Sequence, residues 1–177
     1  MKTSPNSEAE FWTFSVQLYG QPRVPDVCID LQETHDIDIN VLFYLLFCAA
    51  RSEAFDEVNV ARLDTAVQPW REGVVRPLRT ARRALKTDVL SALANDEDTL
   101  RNTIKTIELQ AEKLQQYALA RLGASLPVQC SATPVVAMDI SWRAYVKVLN
   151  TQLPENMPGE LLAALSAIPK KRGLSNQ

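Results

Sequence analysis

The longest uninterrupted apolar stretch of the chain lies in IDINVLFYLLFCAA, residues 37–50. From Val41 onward ten successive residues are uncharged and mostly bulky and apolar, whereas the flanking segments alternate charged and apolar residues at helical spacing. A helix that is apolar on every side lies either at the centre of a domain or in lipid. A spanning helix needs about 20 apolar residues, and this run is bounded by Asp38 and Asn40 before it and by Arg51 and Glu53 after it. The pattern therefore predicts a buried central helix.

Apolar residues at spacings of three and four predict further amphipathic helices on both sides of this segment. Ser7 and Glu10 have capping-box spacing at the start of the first of these helices. Asn59 is the expected cap of the helix that follows the central one, and Pro69 is expected to end or bend that helix. Gly123 is expected to close a long helix. The predicted helices cover about residues 7–19, 25–34, 59–69, 76–86, 96–122, 134–149 and 161–168. We expect an all-α fold, a single compact bundle of six to eight helices at residues 7–169. Residues 1–6 and the basic tail at residues 170–177 are expected to be disordered.

The long helix from Asp96 to Leu122 has a regular apolar pattern. Its expected buried stripe consists of Leu100, Ile104, Ile107, Ala111, Leu114, Ala118 and Leu122. Such a stripe predicts that the helix packs against an earlier helix of the bundle.

Charge is distributed unevenly along the chain. The formal net charge of the 177 residues is −2, but residues 1–64 carry four Lys or Arg against eleven Asp or Glu, and residues 65–177 carry fifteen against ten. The two parts could attract one another in the folded protein. The alternative is a polar surface that meets a charged partner.

The densest basic segment is WREGVVRPLRTARRALKT, in which arginines and one lysine follow helical spacing. Pro77 lies inside this pattern, so the helix should begin near it or bend there. Arg offers a planar fork suited to carboxylate or phosphate. The basic stripe consists of Arg76, Arg79, Arg82, Arg83 and Lys86. It is either a solvated helix face paired with acidic residues or a site for an anion or an acidic partner.

A second polar group stands at the entrance of the central helix. Gln32, Asp38 and Asn40 are candidate ligand-binding residues there, and Asp38 or Asn40 could equally cap the helix. Glu33, His35 and Asp36 lie beside them and would complete a metal or acid–base site if folding brought them to a pocket. The spacing Asp36-x-Asp38-x-Asn40 does not fit a calcium loop, which needs Gly and Glu where Val41 and Phe47 stand.

Other sequence features narrow the function classes. Cys28, Cys48 and Cys130 are odd in number and form no C-x-x-C pair, so we expect inert thiols in a cytoplasmic protein. The N-terminal residues MKTSPNSEAE contain no apolar signal core, which also favours the cytoplasm. No phosphate loop, dinucleotide fingerprint, nucleophile elbow or zinc pattern occurs, so we expect no cofactor and no catalytic residues of these classes.

Three segments together resemble a family of small, uncharacterised proteobacterial proteins, a domain of unknown function. The motifs are W-x-F-S-x-x-x-Y, L-Q-x(5)-D-(V/I)-N preceded by Cys, and P-L-R-x-x-R-R-x-L-K, and they cover roughly the first half of the chain. They fall on Trp12, Phe14, Ser15, Tyr19, Cys28, Leu31, Gln32, Asp38, Asn40, Pro77, Leu78, Arg79, Arg82, Arg83, Leu85 and Lys86. Asp36 stands where the family pattern has Gly, which implies a left-handed turn held by Asp. Ala49-Ala50 stands where the pattern has Trp. The resemblance implies no activity.

Two hypotheses follow for the function. In the first, the protein is a non-enzymatic binding or accessory module that uses the basic stripe to hold an acidic protein, an anionic ligand or RNA. In the second, it is a small enzyme or metal-binding protein with its site at the entrance of the central helix. The hypotheses differ in whether Asp38 and Asn40 only cap their helix or face a pocket together with Arg79 or Arg82. A membrane partner is not expected, and the oligomeric state is not predicted by the sequence.

Overall fold

The computed structural model describes residues 5–86, 94–150 and 157–168. It confirms the all-α expectation: helices pack around one buried helix, and a two-residue antiparallel ladder is the only sheet in the described ranges. In chain order the elements are α1 (Pro5–Tyr19), α2 (Val24–His35), α3 (Ile39–Ala49), β1 (Glu53–Ala54), α4 (Glu57–Trp70), a π-helical turn (Arg71–Val75), α5 (Arg76–Ala84), α6 (Ala94–Gly123), β2 (Gln129–Cys130), α7 (Pro134–Leu149) and α8 (Gly159–Ala167). The predicted disordered ends lie outside the described residues, except that positions 5 and 6 begin α1.

Helix α3 is the predicted central helix, and all eleven of its residues are buried. Its aromatic side chains meet those of α1: the ring centroids of Phe11 and Tyr44 lie 5.1 Å apart, and those of Phe14 and Phe47 lie 5.5 Å apart. Trp142 of α7 is also fully buried in the core. Burial of each such side chain contributes about 1.5–3 kcal/mol, so α3 and its neighbours hold the bundle together.

The start of α4 corrects one predicted cap. Asp56, not Asn59, is the N-cap, and its side chain accepts a hydrogen bond from the Asn59 backbone N–H at 2.8 Å. In the segment before α4, Glu53 and Ala54 pair with Cys130 and Gln129 in the short ladder. This ladder joins the end of α3 to the loop before α7.

Helices α4 and α5 are joined without a loop through the π-helical turn at Arg71–Val75. Pro69 lies inside α4, which passes through it to Trp70. The backbone N–H of Arg76 donates to the carbonyl of Arg71, five residues earlier. In a regular helix the ring of Pro77 would collide with the carbonyl of Gly73, and the wider turn avoids this. One extra residue in a turn rotates the following helix by about 100°, which sets the direction of the arginines on α5.

The predicted apolar stripe of α6 is wrong at several positions. Leu100, Ile107 and Leu114 are exposed, with 50%, 45% and 56% of their surface accessible. The buried face instead contains polar residues next to small and apolar ones: Glu108, Ala111, Gln115, Gln116, Leu119 and Ala120. Helix α6 packs on α1, α5 and α3. The polar side chains of α5 and α3 need hydrogen-bond partners, which explains why polar residues lie on the buried face of α6.

No helix among the described ranges combines the length and the apolar content that crossing a membrane requires.

Candidate ligand-binding site

A cavity of about 450 Å³ lies between the end of α2, the start of α3, the π-helical turn, α5 and α6. Six of the eight ligand-binding residues predicted from sequence line it, and they come from segments about forty residues apart: Gln32, Asp38, Asn40, Arg76, Arg79 and Arg83. Its other lining residues are Glu33, Asp36, Ile37, Arg71, Val75, Thr80 and Gln115. Arg82 and Lys86 do not line it.

Asp38 forms the floor of the cavity and caps α3 at the same time. Its side chain accepts hydrogen bonds from the backbone N–H groups of Asn40 at 2.8 Å and Val41 at 3.3 Å. It also accepts from Gln115 Nε2 at 2.6 Å and from Arg71 Nη1 at 3.0 Å. A carboxylate offers about four lone-pair sites, so these four donors occupy Asp38 fully.

Arg71 was missed by the sequence analysis, yet it is the buried cation of the site. Its guanidinium donates to Asp38 and, at 2.8 Å, to Asp64, while only 11% of its side chain is exposed. Burial opposes its charge, but the hydrogen bonds and charges of Asp64 and Asp38 outweigh that effect and raise the pKa of Arg71. Arg71 is therefore fixed as a cation between Asp38 and Asp64, with Glu72 as a third carboxylate partner at 3.3 Å.

Tyr145 supports the floor from α7. Its hydroxyl oxygen accepts a hydrogen bond from the Asp38 backbone N–H at 3.2 Å. Burial, and then the charges of Asp38 and Asp64, raise the pKa of Tyr145 well above its ordinary value. The side chain stays neutral and holds the backbone just before α3.

Two glutamines of α6 meet the entrance of α3 side by side. Gln115 donates to Asp38, and Gln116 Nε2 donates to Asn40 Oδ1 at 2.8 Å. A carboxylate only accepts hydrogen bonds, so Asp38 fixes which end of the Gln115 amide faces it. The Oε1 atoms of both glutamines are buried and find no donor among the described residues. For Gln115, this leaves an unused acceptor on a residue that lines the cavity.

The basic stripe faces α6 and α2 as well as solvent. Arg79 donates to Glu108 at 3.2 Å and to Glu112 at 2.7 Å, and Arg82 donates to both oxygens of Glu108. The hydrogen bond to Glu108, partly opposed by burial, raises the pKa of Arg82. Burial raises the pKa of Glu112, although Arg79 opposes this shift. These inner pairs tie α5 to α6, and of their four residues only Arg79 lines the cavity.

Two outer pairs tie α5 to α2. Arg76 bonds to Asp36, and Arg83 bonds to Glu33 at 2.7 Å. Asp36 adopts the left-handed conformation that its place in the family pattern implied, with a φ of 57°. Its backbone N–H donates a hydrogen bond to the carbonyl of Leu31. The acidic first part of the chain and the basic second part thus do attract one another, at these two pairs, at the pairs of Arg71 with Asp38 and Asp64, and at Arg121–Glu8 and Lys147–Glu57.

The residues proposed for a metal or acid–base site are brought together only in part: Glu33, Asp36 and Asp38 line the cavity. His35 does not line the cavity. Among the described residues no three His, Cys, Asp or Glu side chains converge to hold a metal ion. The cavity is instead a site of arginines, carboxylates and amides.

The comparisons with known proteins add a family. A family model described as "Protein of unknown function (DUF2390)" matches residues 10–119. Comparison with curated proteins and with solved structures gives no match. All residues that line the cavity fall between positions 32 and 115, inside the matched segment. The chain belongs to the DUF2390 family of proteins of unknown function.

Proposed function

We propose that this protein is a non-catalytic binding protein for a small ligand that carries a carboxylate or phosphate group, held in the cavity between α5 and the start of α3. The observation that carries this proposal is the convergence of Arg71, Arg76, Arg79 and Arg83 on one cavity together with the polar entrance of α3. The volume of the cavity, about 450 Å³, lies in the range of small-molecule binding sites, roughly 300–1,000 Å³.

A small ligand has more support than an acidic protein or RNA. Each arginine of α5 is paired with a carboxylate of this chain. Polyanions such as RNA gain affinity by releasing counterions from uncompensated basic surfaces, and the paired face of α5 offers little such surface. A concave site with a few convergent polar groups suits a small molecule.

Binding also has more support than catalysis. The carboxylate of Asp38, the only acidic residue of the predicted ligand-binding set, is occupied by four donors, which leaves no lone pair to accept a proton from a substrate. Glu33 and Asp36, the other carboxylates of the cavity, are paired with Arg83 and Arg76, and within the described ranges no metal-binding cluster forms, so the alternative of a small enzyme or metal protein at the entrance of α3 has less support.

Calorimetric titration of the purified protein tests the proposal. The probes are acetate, citrate, inorganic phosphate and a mixture of the twenty common amino acids. The double variant Arg76→Gln/Arg83→Gln removes two cations from the cavity, and both side chains are partly exposed, at 38% and 48%, so the fold should tolerate the changes.

Arg143→Gln is the matched control, because Arg143 is a partly exposed arginine that pairs with Asp139 on α7, away from the cavity. We expect at least one probe to bind wild type and Arg143→Gln equally and to bind the double variant at least about tenfold more weakly. Absence of binding by all probes, or equal binding by the double variant, would contradict the proposal.

A further inference from the structure

The two sides of the cavity carry opposite charges. The end of α2 contributes Glu33 and Asp36, and the facing helix α5 contributes Arg76, Arg79 and Arg83. The ion pairs Arg76–Asp36 and Arg83–Glu33 cross from one side to the other. A ligand that enters between these sides meets carboxylates on one side and guanidinium groups on the other.

The two crossing pairs are the exchangeable ones. The side chains of Arg76 and Asp36 are 38% and 77% exposed, and those of Arg83 and Glu33 are 48% and 51% exposed. Exposed ion pairs are screened by water and salt and hold their partners weakly. In contrast, Arg71 and Arg79 are 11% and 19% exposed and are bound to partly or fully buried carboxylates. A ligand can open the outer pairs while the inner pairs keep the cavity in shape.

The charge balance of an opened pair selects the ligand. A simple anion that took Arg76 would leave Asp36 without its cation and next to a second negative charge, which is unfavourable. A ligand with one anionic and one ammonium group replaces both members of the pair and leaves neither unpaired.

From this arrangement, and resting on the function proposed above, we infer that the ligand is a small zwitterion of the amino-acid or dipeptide type. Its carboxylate binds Arg76 and Arg83 on α5, and its ammonium group binds Asp36 and Glu33 at the end of α2. The cavity of about 450 Å³ corresponds to roughly fifteen water volumes at about 30 Å³ each, which is enough for such a molecule.

A matched ligand series tests the inference. The amino acid that binds wild type most tightly is compared with its N-acetyl derivative, which lacks the ammonium group, and with its amide, which lacks the carboxylate. We expect each derivative to bind at least about tenfold more weakly than the parent. N-acetyl binding as tight as that of the parent overturns the inference.

The acidic side is tested with Asp36→Asn/Glu33→Gln, which keeps the size of both side chains, and with Asp139→Asn as the control on α7. We expect the double variant to weaken binding of the amino acid about tenfold or more and not to weaken binding of the N-acetyl derivative. For a simple anion the expected change is the opposite, namely tighter binding, because removal of Asp36 and Glu33 frees Arg83 and leaves Arg76 paired with Glu72 alone.

Tighter binding of the amino acid by the double variant therefore overturns the zwitterion while the anion site of the proposed function stands. If wild type binds no amino acid but binds phosphate, acetate or citrate, the inference fails and the proposed function holds. If it binds none of these probes, both are overturned. Circular dichroism spectra identical to wild type confirm that each variant is folded.

Discussion

Gln115 Nε2 and Asp38 Oδ2 lie 2.6 Å apart at the floor of the cavity, although the residues are 77 positions apart in sequence. This hydrogen bond joins α6 to the start of the central helix. A hydrogen bond to a buried charged group contributes about 1.5–3 kcal/mol. We expect Gln115→Ala to lower the free energy of unfolding by about that amount, measured by urea denaturation.

Gln115→Glu should be worse than Gln115→Ala, since it places a second carboxylate against Asp38. Gln110→Ala is the control, because Gln110 is an exposed glutamine on the same helix. Equal stability of Gln115→Ala and Gln110→Ala would show that the contact at the floor has no energetic role.

Arg71 is the second contact that we expect to matter for stability. It bridges Asp38 and Asp64 at 3.0 and 2.8 Å, so Arg71→Met leaves two poorly exposed carboxylates without their cation. Breaking a buried ion pair in this way costs about 3–5 kcal/mol. Arg143→Met, at an exposed pair on α7, should cost less than about 1 kcal/mol. If Arg71→Met lowered the free energy of unfolding as little as Arg143→Met does, Asp38 and Asp64 would not need a cation for stability.

The close approach of α6 to α3 gives a third prediction. A Cβ atom at Gly123 would overlap the ring and hydroxyl of Tyr44, whereas a Cβ atom at Gly73 meets nothing within 4 Å. We expect Gly123→Ala to destabilise the fold by about 1–3 kcal/mol through overpacking. Gly73→Ala should instead stabilise it by about 0.5–1 kcal/mol, because Ala suits a helical turn better than Gly. Thermal unfolding of both variants measures the difference, and a stable Gly123→Ala protein would contradict this packing.

Several of these features could be predicted from the sequence because they depend on local pattern. The apolar run predicted the position of α3, and Asp38 was among the expected caps of that helix. The bounds of α7 were predicted as Pro134–Leu149 and are confirmed. The left-handed turn at Asp36 followed from the Gly in the family pattern and is confirmed by its positive φ. Each of these needs only the residue and its near neighbours.

The features that were missed depend on partners from other helices. The inward face of α6 was expected to be apolar, but Glu108, Glu112 and Gln115 face the arginines of α5 and the entrance of α3. Their spacing of four and three was a readable sign of a second, polar face. Arg71 was missed because it lies five residues before Arg76, the spacing of a π-helical turn, and so falls outside the α-helical pattern of the stripe.

The cysteines give a prediction about pH. Burial raises the pKa of the thiols of Cys28 and Cys48 to about 12 each, above an ordinary value of about 8.5. The folded state therefore keeps these protons at pH values where the unfolded chain has lost them. Stability is fully present below about pH 8.5 and should fall between there and about pH 12 by up to about 1.4 kcal/mol per pH unit for each thiol.

Urea denaturation at pH 8, 9 and 10 measures this slope, and Cys28→Ala/Cys48→Ala should reduce it. Cys130 is exposed, so a thiol reagent should label one cysteine in the native protein and three after unfolding. Rapid labelling of all three in the native state would contradict the burial of Cys28 and Cys48.

Nuclear magnetic resonance of the arginine Nε–Hε groups measures whether the arginines on α5 hold a small ligand in the cavity. Signals are assigned by single Arg→Lys variants, and wild type is titrated with the mixture of amino acids and, separately, with inorganic phosphate. The expected result is saturable shifts of the Arg76 and Arg83 signals, with the Arg143 signal unchanged. Unchanged signals at Arg76 and Arg83, or equal shifts at all three arginines, would contradict it.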